Sequence, residues 1–232
     1  MSVQLPLQLG FPEQRSFAQY HSGNNQEVVA ALYRCARGEG EPYLYLWGES
    51  ACGKTHLLQA TCREAHECGR RVAYLPLTAL RRQSPALLEG LEQVDLLCLD
   101  DIDAIGGDPD WETALFHCFN RLRERDRQLL VAAACPPTRL PIRLPDLRTR
   151  LAWGLTLQLK PLSDADKLAA LQLRARQLGL ELSPQVGRFL LARFPRDLPS
   201  LWRLLEQLDH ATLAAKRKLT IPFLKQFLEE QS

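Results

Sequence analysis

Gly48-Glu49-Ser50-Ala51-Cys52-Gly53-Lys54-Thr55 is the stretch whose reading decides the fold. It matches G-x-x-x-x-G-K-[ST] in full. It follows the apolar run Tyr43-Leu44-Tyr45-Leu46-Trp47 and opens an amphipathic segment of helical spacing. A glycine-rich turn between a strand and a helix lets backbone N–H groups point inward around a phosphate, and the helix start adds the positive end of its dipole. The residue types assign the parts. Gly48, Glu49, Ser50, Ala51, Cys52 and Gly53 form the cradle, Lys54 reaches the β- and γ-phosphates, Thr55 holds Mg²⁺, and His56 lines the site from the first helical turn.

The acidic partner of such a loop comes about forty-five residues later, in Leu96-Leu97-Cys98-Leu99-Asp100-Asp101. Four apolar residues predict a buried strand that pushes two carboxylates out at its end. Asp100 is expected to hold Mg²⁺ through water, and Asp101 to orient or deprotonate the attacking water. Both ADP and ATP fit this pairing, and the residues do not choose between them.

Outward from these motifs, short apolar runs at 43–47, 71–77, 94–99, 129–134 and 155–159 alternate with helical segments, of which 57–68 and 111–126 are the clearest. Near-continuous hydrophobicity predicts strands covered on both faces, as in a parallel sheet, and the alternation predicts an α/β sandwich. After Pro161 the pattern is helical throughout. Ser163 caps a helix carrying Leu168, Leu171, Ala175 and Leu178, Pro184 fits the first turn of the next, and a third begins near Asp197 with Leu198, Leu201, Leu205 and Leu208 on one face. A last helix holds Phe223, Leu224, Phe227 and Leu228. The expected organisation is a tail over 1–11, an α/β domain over 12–160 and a helical domain over 161–232.

Composition sets the class. The chain has 232 residues, 46% hydrophobic and 24% charged, enough for a packed core without disulfides. No run of eighteen apolar residues predicts a membrane span, and the N-terminus lacks the pattern of a signal peptide, so a cytoplasmic protein is expected. The seven cysteines include no C-x-x-C pair and are expected to be small buried side chains in a reducing compartment. His21, His56, His66, His117 and His210 have no metal-ligand spacing. Charge is uneven: residues 1–138 carry 13 basic and 18 acidic residues, net −5, and residues 139–232 carry 16 and 9, net +7. An acidic front and a basic back suit either head-to-tail pairing with a like molecule or contact of the back half with phosphate, or are simply two solvated faces.

The residues around these motifs resemble a known family. Asp100-Asp101-Ile102-Asp103-Ala104-Ile105-Gly106-Gly107-Asp108, then Trp111-Glu112 and Phe119-Asn120-Arg121, are similar to the DnaA-like AAA+ group. Pro145-Asp146-Leu147-Arg148-Thr149-Arg150-Leu151-Ala152-Trp153-Gly154 resembles its arginine-finger segment. Leu162-Ser163-Asp164-Ala165-Asp166-Lys167-Leu168 and Leu219-Thr220-Ile221-Pro222-Phe223 look most like its Hda branch. The resemblance implies an AAA+ parallel-sheet sandwich followed by a small all-α lid. It also implies a function: with the DNA polymerase III β sliding clamp loaded on DNA, Hda proteins promote hydrolysis of ATP held by the initiator DnaA and so prevent re-initiation of replication. Arg150 matches the finger donated in trans. Phe17, Tyr20 and Asn24 precede the first helix where the family lines its adenine pocket, although aromatics there can equally be core. Gln4-Leu5-Pro6-Leu7-Gln8-Leu9 resembles the branch's clamp-binding peptide, with Gln4, Leu5, Leu7 and Leu9 as the contacts. Extended alternation puts the leucines on one side, to fill a hydrophobic channel or to fold back on the protein's own core. The chain stops one short helix after the lid, and no sequence-specific DNA binding is expected of it.

Departures from the family pattern carry information too. The position after the fourth strand, often Asp in the family, is Ala134, which cannot hold a water. The lid position that normally offers an arginine to the nucleotide is Pro199, with Arg196 three residues away as a substitute, and Asp101 is one methylene shorter than the usual glutamate. Together they predict nucleotide binding with weak intrinsic ATPase at most. A helicase loader resembling DnaC is the alternative, and a free-standing ATPase with its own substrate a further one. The short tail counts against the former, Ala134 and Pro199 against the latter.

Overall fold

The computed structural model describes residues 15–195, 197–215 and 219–229. These divide into two compact units, one of residues 15–20 and 25–160, the other of 21–24 and 161–229. Among the described residues no helix is long and apolar enough to cross a membrane.

The first unit is built on five parallel strands, β1 (Tyr43–Trp47), β2 (Val72–Pro76), β3 (Leu96–Asp100), β4 (Gln128–Ala133) and β5 (Leu155–Gln158), in the order β2-β3-β4-β1-β5. The register pairs Leu75 with Leu99, Leu99 with Val131, Tyr45 with Val131 and Leu46 with Leu157. Successive side chains on a strand face opposite sides. Tyr43, Tyr45, Leu129 and Val131 therefore enter one core with Trp111, Leu115 and Phe119 of helix α4 (Pro109–Glu124) and Leu147 and Leu151 of α5 (Pro145–Leu151). Leu44, Leu46, Leu130 and Ala132 enter the other, with Leu32 and Cys35 of α1 (Gln26–Ala36) and Leu57, Leu58 and Cys62 of α2 (Lys54–Glu67). A four-residue helix, α3 (Leu77–Leu80), continues from β2.

The expectation of strands covered on both faces holds for β1, β3 and β4 and fails at β5. There Leu155, Thr156 and Gln158 are exposed and Leu157 is half-buried, whereas β2, the other edge strand, keeps Ala73, Tyr74 and Leu75 buried. The four residues of β5, Leu155-Thr156-Leu157-Gln158, alternate apolar and polar, the pattern of a strand without two covered faces, so this departure is legible in the sequence. Burial of the cysteines is likewise mixed: Cys35, Cys62, Cys98 and Cys118 are buried, Cys52 and Cys135 half-buried, and Cys68 exposed.

The second unit holds α6 (Asp164–Gln177), α7 (Pro184–Arg193), α8 (Leu198–Ala215) and α9 (Ile221–Glu229) around Leu171, Ala175, Leu190, Leu201, Leu205, Leu208 and Leu224. Ser163 and Asp166 form a reciprocal capping box, so two of the free N–H groups at the start of α6 are satisfied. Ser183 caps α7, with Pro184 in its first turn where no N–H is needed. Segment 21–24 packs on the α6 start: His21 Nε2 lies 3.2 Å from Asp166 Oδ1, and a Cβ on Gly23 would come within 2.9 Å of Asp166.

Candidate functional site

The phosphate loop leaves the C-terminal edge of the sheet. Gly48 N donates to Ala133 O at 3.3 Å, which ties the loop's first residue to the end of β4. A side chain here has no room, since a Cβ would sit 2.6 Å from the Leu159 carbonyl oxygen. Ala51 (φ 60°) and Gly53 (φ 105°) both adopt left-handed backbone, the turn that aims consecutive N–H groups at one point. For the alanine that conformation costs roughly 1–2 kcal/mol, a strain of the kind that concentrates at functional sites. Lys54 starts α2 and is 7% exposed, with Nζ donating to the carbonyls of Gly48 at 2.8 Å and Glu49 at 3.0 Å. An ammonium is thus held directly over the loop, while the side chains of Glu49, Ser50 and Ala51 face solvent.

Asp100 departs from its expected projection beyond the strand. It is the last residue of β3 and is 1% exposed. Its Oδ2 accepts from Tyr74 Oη at 2.8 Å, while Oδ1 is buried with no hydrogen-bond partner. Burial pushes its pKa above the ordinary carboxylate value and the charge of Asp101 adds to the push, while Thr55, Tyr74 and Lys54 pull against it. A buried anionic oxygen without a partner is costly, and a carboxylate beside a threonine hydroxyl is a hard-oxygen donor set. The pair fits Mg²⁺ on chemical grounds. Asp101 is half-buried in left-handed backbone (φ 55°) and accepts from Thr78 Oγ1 at 3.1 Å. Ala134 follows β4 directly, and its N–H is engaged by Asp103 Oδ1 at 3.0 Å. Pro199 is the second residue of α8.

The residues before α1 separate. Phe17 packs edge-on against Tyr33 at 5.6 Å and joins the core around α1. Tyr20 lies on the loop itself, where a Cβ on Gly53 would meet its ring at 2.8 Å. His56 is 6% exposed, lies against the Tyr20 ring and reaches Ser16 O at 3.0 Å, so it anchors the segment that carries Tyr20. Asn24 is exposed and belongs to the helical unit's segment 21–24. Gln4, Leu5, Leu7, Leu9 and Arg196 lie outside the described residues.

Arg150 stands at the other edge of the sheet. It is the penultimate residue of α5, which leads into the start of β5, and Leu155 pairs with Leu44 near the start of β1. Tyr43, the first residue of β1, donates its hydroxyl to Leu151 O at 3.0 Å and packs on Phe119. The strands are parallel, so Arg150 and the phosphate loop lie at opposite ends of them, about 13 Å apart along β1 alone at ~3.3 Å per residue. The guanidinium lies over Phe116 at 4.7 Å, Trp153 at 5.3 Å and Phe119 at 5.9 Å, and it makes no ion pair or hydrogen bond among the described residues. Trp153 is 56% exposed and also carries Arg123 at 5.1 Å. Arg150 is therefore neither a bare surface arginine nor half of a salt bridge, but a cation shelved on aromatic faces.

Sequence reasoning missed Tyr74, Thr78 and Glu112. Glu112 is 1% exposed, and its carboxylate accepts from Gly107 N, Arg143 N and Leu144 N at 2.7–3.1 Å. The available signal was a glutamate in the stripe of α4 that continues with Phe116 and Phe119.

Comparison with known proteins agrees with this geometry. The family model for the bacterial DnaA ATPase domain matches residues 13–158, and that for the Hda lid domain matches residues 164–228. Among solved structures the chain is similar to domain III of the Thermotoga maritima replication initiation protein DnaA, with 22% identity, a TM-score of 0.80, and coverage of 94% of this chain and 97% of that one. It is also similar to AMPPCP-bound DnaA from Aquifex aeolicus, with 22% identity, a TM-score of 0.72, and 86% of this chain over 65% of that one. The Thermotoga maritima RuvB Holliday junction branch migration motor matches at 19% identity and a TM-score of 0.67, over 92% of this chain and 73% of that one. At these identities the structures speak for the fold, whereas the ATPase-domain model spans more than half of the chain. The chain belongs to the bacterial DnaA ATPase-domain family and, with its Hda lid, is an Hda-like, DnaA-homologous AAA+ protein.

Proposed function

We propose that this protein is a cytoplasmic, nucleotide-bound adaptor that inactivates the replication initiator DnaA, stimulating hydrolysis of DnaA-bound ATP in concert with the β sliding clamp on DNA. The observation that carries the reading is the separation of two half-sites on one sheet. The loop with Lys54 lies at the C-terminal edge, and Arg150 at the N-terminal edge is out of reach of it. An arginine so far from its own phosphate loop acts on a nucleotide held by another molecule. Guanidinium is the appropriate group, because charge spreads over the γ-phosphoryl oxygens in the transition state.

The protein's own nucleotide, ADP or ATP, is held by Gly48 to Thr55, with Tyr20 against the loop. AMPPCP bound to the Aquifex DnaA supports a nucleotide in this fold. Thr55 and Asp100 would hold Mg²⁺, which when bound neutralises charge on the β- and γ-phosphate oxygens. With Ala134 in place of a polar side chain and Asp101 engaged by Thr78, intrinsic hydrolysis is weak.

The test is conversion of ATP to ADP on purified DnaA, with clamp loaded on primed DNA, on adding this protein. Acceleration that requires the clamp is expected, and no acceleration would refute the reading. Gln4 and Leu5 are proposed as clamp contacts. The double variant Gln4→Ala with Leu5→Ala should lose clamp binding with an unchanged Tm. Early melting with binding intact would assign the tail to the core instead.

A further inference from the structure

We infer that Glu112 is a positioning residue for the arginine finger, fixing the start of α5 so that Arg150 is presented in one orientation. The inference rests on the trans-finger reading of Arg150. Its basis is the way α4 and the segment leading into α5 are joined. Oε1 of Glu112 accepts from Gly107 N at 2.7 Å and Arg143 N at 3.1 Å, while Oε2 accepts from Arg143 N at 3.0 Å and Leu144 N at 2.8 Å. One buried carboxylate thus gathers N–H groups from two loops. Those loops touch closely, since a Cβ on Gly106 would come within 2.4 Å of Pro141.

Leu144 is the residue before Pro145, the first of α5, and has no side-chain oxygen with which to cap it. Helix starts leave N–H groups without partners. Here the carboxylate of a different helix satisfies the backbone at the approach to the start, and so defines where α5 begins. One turn further along α4, on the same face, Phe116 carries the guanidinium of Arg150, and Phe119 adds a second ring. The short helix is consequently fixed against α4 at both ends, by the Glu112 carboxylate where it begins and by the aromatic shelf where it finishes. Seven residues make α5, so a shift at its start is carried to Arg150 with little room for absorption. Displacement of a reacting group by about 1 Å can cost on the order of 10²-fold in rate. Glu112 has no contact with the phosphate loop and no access to solvent, so neither nucleotide binding nor a surface role explains its burial.

The experiment uses the full chain and DnaA loaded with ATP, with clamp on primed DNA. Glu112→Gln keeps the shape and replaces one acceptor by a donor facing N–H groups. The expected result is a 10–100-fold fall in the maximal rate of DnaA-bound ATP hydrolysis. The half-saturating concentration and the protein's own affinity for ADP should stay within about twofold, and Glu112→Asp should recover part of the rate. In Arg150→Ala the additional Glu112→Gln change should cost nothing more. A purely structural Glu112 would lower Tm and leave the maximal rate of the folded fraction intact, and that outcome overturns the inference. Should Glu112→Gln not fold, Leu144→Pro takes away the 2.8 Å N–H bond to Oε2 at a φ of −68° that proline accepts, together with the leucine's packing on the core, and a full rate in that variant overturns it equally. If Arg150→Ala retains full stimulation, the finger reading itself fails. If Arg150→Ala is inactive and Glu112→Gln fully active, only the role of Glu112 is lost.

Discussion

The two edges of the sheet hold their cations in opposite ways. At the C-terminal edge Lys54 is bonded to carbonyls five and six residues back along its own loop, so its place is set by local backbone. At the N-terminal edge Arg150 has no such bond. It rests on rings from α4 and from the turn after α5, and the helix that carries it is held by a glutamate thirty-two positions before Leu144. A cation bonded to its own loop is preorganised for a ligand that the loop encloses. A cation that rests on aromatic rings and makes no hydrogen bond or ion pair among the described residues keeps its N–H donors for an anion arriving from outside.

The largest effect expected from breaking this contrast is at Arg150. Arg150→Ala should abolish stimulation of DnaA-bound ATP hydrolysis, a loss on the order of 10³-fold or more for a trans finger. The protein's own ADP affinity should be unchanged, and stability should fall only by the shelf contacts, about 0.5–1 kcal/mol each at exposed sites. ATP conversion and a melting curve check both halves. Near-normal conversion would remove Arg150 from the reaction.

Lys54 comes next. Lys54→Ala removes a charge-assisted phosphate contact worth about 1.5–3 kcal/mol, so nucleotide affinity by calorimetry should weaken at least tenfold. It also takes the ammonium from the carbonyls of Gly48 and Glu49. The two substitutions should be separable, with Lys54→Ala failing to bind nucleotide and Arg150→Ala binding it and failing to stimulate. If both lose nucleotide alike, the two edges are not independent.

The same contrast explains what could be read without a structure. The phosphate loop is eight consecutive residues whose chemistry is local, and β1, β3 and β4 announce themselves as apolar runs because both faces are covered. The exposed strand β5 reads as a similar apolar run, although its Leu155-Thr156-Leu157-Gln158 alternates apolar and polar and so signals fewer than two covered faces. Asp100 was legible as an acid at a strand end, but its partner Tyr74 lies on β2, twenty-six positions away. Glu112 stood out only as a glutamate in the stripe of α4, and its partners, the N–H groups of Gly107, Arg143 and Leu144, lie on loops brought to it by tertiary packing. Arg150 could be matched to a family motif, yet its aromatic shelf is gathered from α4 and the turn before β5, and that separates a held cation from a solvated one.

A smaller effect should follow from trimming the shelf while leaving the cation. Trp153 is the most exposed of the three rings under Arg150. Trp153→Ala removes one stacking partner worth about 0.5–1 kcal/mol, so the maximal rate of stimulated hydrolysis should fall about two- to fivefold, with nucleotide binding intact. A loss as deep as that of Arg150→Ala would mean that Trp153 itself contacts the partner.

The smallest effect expected is a gain in stability at the opposite edge. Asp100 is buried in the sheet with one oxygen unpartnered, and burial holds its pKa above the ordinary carboxylate value. A raised pKa means that the folded chain binds the proton more tightly than the unfolded chain does. The associated stabilisation is complete below the unfolded carboxylate pKa of about 3.9 and is lost as pH rises through the higher folded value. Wherever the pH lies above that folded value the ionised group works against folding, and on the proposed assignment to Mg²⁺ a bound cation would offset that cost. Asparagine has nearly the same shape, carries no charge at any pH, and can still accept from Tyr74. Asp100→Asn should consequently melt a few degrees higher than the parent at pH 7 without nucleotide, at about 2–4 °C per kcal/mol for a chain of this size. The gap should narrow as pH is lowered toward 4. Addition of Mg²⁺ with ADP should reverse the order, raising the parent's Tm more than the variant's, since a neutral amide holds the ion more weakly than a carboxylate does. Melting curves at three pH values, with and without Mg²⁺ and ADP, test each part. A variant that melts lower than the parent at pH 7 would make Asp100 a structural residue and remove the reason to assign it to Mg²⁺.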